Sequence, residues 1–135
     1  MAKPFKLAAP TVGEWPIARQ IADVLRLELA PPGRLSRDGV LWYAIDHADF
    51  RGSVPGARLG RGVVAGIPDL FVLWGGLAFF LEIKRLPDGV LSDAQRSLCA
   101  ALLLSGGRVG VCWDAPSCLA CLDRWGVPRA RRVTV

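Results

Sequence analysis

The chain has 135 residues, of which 52% are apolar and 21% charged. That is enough for one domain whose core needs no metal or disulfide staple, and too apolar for a disordered chain. Seventeen Lys and Arg against twelve Asp and Glu leave a net charge of +5. This balance fits a polyanionic partner, and equally a solvated surface with the arginine bias of a GC-rich genome. Fourteen of the seventeen are arginine, whose planar fork suits phosphate. No apolar run is long enough to cross a bilayer, and Met1 to Pro10 lacks the apolar core and cleavage site of a secretory signal. The expected setting is the cytoplasm, of a bacterium or of a host for a viral-type protein, with no membrane partner.

Residues 1–12 read as a loose, proline-punctuated arm. From Glu14 to Leu29, apolar residues recur at Ile17, Ile21, Val24, Leu25 and Leu29 with arginines between them, which predicts an amphipathic helix. Pro16 falls in its first turn, where a missing N–H is harmless, and Glu14 lies at the positive end of the helix dipole. Ala30-Pro31-Pro32-Gly33 ends it. Val40 to Ile45 predicts a first strand, apolar throughout and so expected to be buried on both faces. Asp46-His47-Ala48-Asp49 follows, with the single histidine at a strand end, where a surface or hydrogen-bonding role is the ordinary one. Phe50 to Gly66 holds five glycines with Arg51, Arg58 and Arg61, a segment suited either to face phosphate or to be plain solvated loop.

Leu70 to Trp74 and Leu77 to Lys84 are strand-like, and Gly75-Gly76 between them supplies the positive φ angles of a type I′ hairpin turn. Counting outward from a two-residue turn places Asp69 opposite Glu82. Alternation makes this a non-hydrogen-bonded pair, with opposed Cα atoms only about 4.5 Å apart. Like charges there are destabilising, so a compensating hard divalent cation is expected between them. The same count pairs residue 68 with Ile83. Residue 68 is proline and has no N–H, so the Ile83 carbonyl is left free as a third ligand. Lys84 falls on the face of Glu82. Two carboxylates, a free carbonyl and a lysine are equipment for metal-assisted phosphodiester hydrolysis.

After the hairpin, Arg85 to Gly89 is a turn cluster. Ser92-Asp93-Ala94-Gln95 is a capping box that opens a helix through about Ser105, stopped by Gly106-Gly107. Arg108 to Trp113 is a short strand, expected to lie parallel to the Glu82 strand through a right-handed crossover. Pro116 to Trp125 predicts a last helix. Residues 128–135 form a basic tail with Arg129, Arg131 and Arg132, for nucleic-acid contact or for solubility. Cys118 and Cys121 make a C-x2-C pair, but Cys99 and Cys112 form no second knuckle, so buried reduced thiols are expected in place of a zinc site.

Pro68-Asp69 followed by Glu82-Ile83-Lys84 resembles the PD-(D/E)xK nuclease signature. With Gly62 to Leu70, Arg85, Leu91 to Gln95 and Gly106 to Cys112 around it, residues 60–113 resemble the virus-type replication-repair nuclease (VRR-NUC) family. The resemblance implies a restriction-endonuclease-like α/β core, with a central mixed sheet flanked by helices in the order α-β-β-β-α-β and a C-terminal helix. It also implies a Mg²⁺- or Mn²⁺-dependent endodeoxyribonuclease. Metal falls to Asp69, Glu82 and the Ile83 carbonyl, with helix-borne Glu14 as a further ligand. Lys84 acts on the nucleophilic water and Gln95 near it. His47, Arg58, Arg61 and Arg85 face the nucleic acid. Stand-alone members resemble Holliday-junction resolvases, which implies branched DNA, a homodimer and a role in repair or recombination. The rival reading is a non-catalytic nucleic-acid-binding or assembly protein that keeps the fold.

Overall fold

A computed structural model describes residues 14–45, 62–86 and 88–130. Among them the order is α1 (Glu14–Glu28), β1 (Leu41–Ala44), β2 (Leu70–Trp74), β3 (Leu77–Ile83), α2 (Asp93–Leu104), β4 (Arg108–Cys112) and α3 (Ala115–Arg124). The strands form one four-stranded mixed sheet in the order β1-β2-β3-β4. The first two pairings are antiparallel and β3 to β4 is parallel. The chain is therefore α/β, with helices on a central sheet, as its predicted element order requires.

The β2–β3 hairpin sets the frame. Gly75 and Gly76 have φ of +60° and +76°, the left-handed pair a type I′ turn demands, and Trp74 faces Leu77 directly across it. The register then runs without slip to Leu70 opposite Leu81. Alternation sends Leu70, Val72, Phe79, Leu81 and Ile83 to one face, where α1 and α3 close the core with Ile21, Leu25 and Leu122. Each such large apolar side chain contributes about 1.5–3 kcal/mol on full burial.

In β1 only Trp42 is buried, while Tyr43 and Ala44 are exposed. The expectation of burial on both faces is corrected: β1 is an edge strand whose outer face no described helix covers. Trp42 donates its indole N–H to the Ala30 carbonyl (2.7 Å), tying this edge to the end of α1. The capping box of α2 forms as predicted, with Ser92 as N-cap. The last helix has a second box, Asp114 with Ser117, and Pro116 lies in its first turn. All four cysteines are free and buried. The Cys112 thiol is pushed up, first by its hydrogen bond with Cys118 and then by burial, so it stays a neutral core group.

Arg129 departs from the reading of the tail as surface. Its guanidinium binds Asp123 in bidentate fashion (2.7 and 3.0 Å) and donates to Oε2 of buried Glu28 (2.9 Å), while the Ala130 N–H reaches the Glu28 carbonyl. The end of the described chain is thus clasped to α1. The 1–12 arm, His47, Arg58, Arg61, Arg131 and Arg132 lie outside the described residues.

Candidate functional site

The face of the sheet opposite the core carries the acids. Phe80, Glu82 and Lys84 share it by alternation along β3, and so do Phe71 and Asp69 at the start of β2. Glu82 is 3% exposed and one of two charged side chains buried among the described residues. Its Oε1 accepts from the Gln95 side-chain amide at 2.6 Å and meets the Lys84 ammonium at 3.5 Å. Its Oε2 is buried without a hydrogen-bond partner.

The Asp69 side chain lies within hydrogen-bonding reach of Glu82. Burial first, and the Asp69 charge second, push the Glu82 carboxyl up to about 8, against a smaller pull downward from Lys84. The two acids meet as expected, but the strand pairing ends at Leu70 opposite Leu81, so they are not the directly opposed, non-hydrogen-bonded pair that the count gave. The local backbone differs from the simple count. The Asp69 N–H turns inward to the Leu81 carbonyl (3.1 Å), its own carbonyl accepts from Ile45, and its Oδ2 accepts from the Ile83 N–H at 2.7 Å. The Asp69 side chain therefore takes the place that the Pro68 carbonyl would hold in a regular ladder, and the Ile83 amide fixes the aspartate.

The Ile83 carbonyl points the same way as its N–H in extended backbone, toward fully buried Pro68, which has no hydrogen to give. Among the described residues, no backbone hydrogen bond outside the helices and strands ends on that oxygen. Two carboxylates, one with a buried oxygen that has no hydrogen-bond partner, and the Ile83 carbonyl form an all-oxygen donor set that suits a hard divalent cation. Glu14 is exposed at the start of α1 and does not join them. Among the described residues no three of His, Cys, Asp and Glu come together as metal ligands.

Gln95 does two jobs. Its Oε1 accepts from the Ser92 N–H (2.9 Å) in the capping box, which leaves the amide NH₂ for Glu82 and fixes which way round the side chain sits. The start of α2 is held there by Gly66. At φ +87° it packs so closely that a Cβ would stand 2.5 Å from the Ala94 carbonyl oxygen and 2.7 Å from the Gln95 nitrogen. Arg85 lies half-exposed and pairs with Asp88 at 3.4 Å, a surface contact weak enough to be exchanged for another anion.

What the sequence reading missed is the row next to the acids: Tyr43, Phe71 and Phe80 are cross-strand neighbours on the same face. The hairpin register pairs Phe71 with Phe80 by the count that pairs Asp69 with Glu82, so the signal was present there. Comparison of the chain with known protein families, with curated proteins and with solved structures finds no match.

Proposed function

We propose that this domain is a Mg²⁺- or Mn²⁺-dependent endodeoxyribonuclease with a restriction-endonuclease-like core of the VRR-NUC kind, acting on branched DNA. The observation that carries the reading is buried Glu82, held against Asp69 with Lys84 alongside and its Oε2 left without a donor. A domain that only binds a polyanion gains nothing from a buried pair of acids beside its lysine. Stability alone disfavours the arrangement.

Asp69, Glu82 and the Ile83 carbonyl would hold the cation. When bound, it supplies charge neutralisation at the scissile phosphate and a more acidic water. The protein residues do the rest. The Ile83 N–H orients Asp69, and Gln95 holds Oε1 of Glu82 so that Oε2 faces inward. Lys84 keeps its ammonium at the rim of the pair, where it orients the attacking water and meets the charge that develops on the phosphate. Arg85 at the mouth of the site takes the DNA backbone. A homodimer would bring two such sites to a symmetric junction.

The test is cleavage of a plasmid and of a synthetic four-way junction with Mg²⁺ or Mn²⁺, beside a Lys84→Ala variant. Wild type is expected to cut, with Lys84→Ala slower by at least about 100-fold, the scale of one lost stabilising donor. Equal inertness of both, with DNA still bound, would leave the non-catalytic binding reading in its place.

A further inference from the structure

We infer that the row Tyr43, Phe71 and Phe80 is a stacking platform for unpaired bases, so that the DNA taken by this site is single-stranded where it lies on the sheet. This deepens the nuclease reading and rests on it for the position of the phosphate. Tyr43 faces Phe71 across β1–β2 with ring centroids 5.0 Å apart, and Phe71 faces Phe80 across β2–β3 at 5.3 Å. The rings are tilted by 39° and 59°, leaving a stepped aromatic strip rather than a closed stack.

Three observations separate this strip from ordinary sheet packing. The hydrophobic core lies on the opposite face and α2 packs over β4, while Phe71 and Phe80 are half-buried and Tyr43, on the edge strand, is exposed. Tyr43 is 42% exposed, and Leu73 in the adjoining row is 37% exposed. The row also lies two residues along the strands from Asp69 and Glu82, about 6.6–6.8 Å away on the same face. That step is comparable with the reach from a nucleobase to a neighbouring phosphate.

The occupant follows from the chemistry at both ends. An apolar protein segment seated on Tyr43 and Phe71 would run into Lys84 and two carboxylates. A nucleotide strand presents a π-face to the rings and a phosphate to the charged end, where Lys84 and Arg85 supply positive charge. A fully paired duplex keeps its base faces inside its own stack and offers none to the rings.

The experiment uses the full-length protein without divalent metal and a short oligodeoxythymidine carrying one 5-iodouracil. Wild type is expected to bind the single strand in preference to duplex of equal length, and irradiation to crosslink the peptide that contains Tyr43 or Phe71. Tyr43→Ala is expected to weaken single-strand binding about 5-fold to 150-fold, the range for one lost base–aromatic stack. Tyr43→Phe restores it, and duplex binding is unchanged. Tyr43 stands outside the core, so both variants keep the fold, which thermal melts check. Unchanged binding by Tyr43→Ala overturns the platform, as does a crosslink confined to other peptides or no single-strand binding at all. A dimer that Tyr43→Ala converts to monomer without loss of DNA binding overturns it too, by making the face a self-contact. Metal-dependent cleavage is scored separately: its absence with the crosslink intact removes the nuclease reading and leaves the stacking.

Discussion

At Glu82 stability and function pull apart. In the metal-free chain its carboxyl titrates near 8 instead of the ordinary 4.5, so between those values the folded protein holds a proton that the unfolded chain has lost. Stability from this group is full below about 4.5 and falls as pH rises through about 8. Thermal melts of the metal-free protein should accordingly lose midpoint temperature across that window. Glu82→Gln keeps the shape and the contact with Gln95 but removes the charge, so its melting temperature should exceed that of wild type at pH 8 and above while metal-dependent cleavage disappears. A Glu82→Gln protein that melts with the same pH slope as wild type would show that another group governs it.

At the scale of elements, the site is a hairpin and a helix start pressed together, and Gly66 is the point of pressure. Gly66→Ala must meet both a left-handed φ and the α2 backbone. Gly39→Ala meets a similar φ, +80°, in open space. The second should cost about 1–2 kcal/mol, the strain of one non-glycine residue in that region. Gly66→Ala should lose more in denaturant melts, and its cleavage rate should fall further because Gln95 is carried away from Glu82. Equal losses for the two variants would mean that the close approach is relieved at no cost to the site. These elements were legible in the sequence because their signals are local. Gly75-Gly76 fixes a turn, the turn fixes the register, and Ser92 with Gln95 fixes a helix start. The exposed face of β1 was not legible, since an edge strand and a central strand of the composition of Val40 to Ile45 differ only in what lies beside them. Nor was the inward turn of the Asp69 amide, which depends on the carboxylate replacing a backbone acceptor.

Over the whole molecule, the α1 to tail clasp joins residues 101 positions apart, beyond the reach of any periodicity. Glu28 is buried at the end of α1, and Arg129 is its charge partner, with the Asp123 carboxyl held below its usual range chiefly by the hydrogen bond from Arg129. Arg129→Ala removes a charge partner of a buried carboxylate. It should destabilise the fold by somewhat less than the ~3–5 kcal/mol of a fully buried pair, because Arg129 keeps 26% of its side chain in solvent. DNA affinity below the melting temperature should not change. A large loss of affinity with unchanged stability would return Arg129 to the nucleic-acid surface.

All of the proposed chemistry depends on the acid pair being a cation site. A crystal of the domain soaked in Mn²⁺ and measured at the manganese edge reads this directly. The expected result is an anomalous peak between Asp69 and Glu82, within bonding distance of the Ile83 carbonyl. Clear density for both acids with Lys84 still on Glu82 and no peak between them would contradict it.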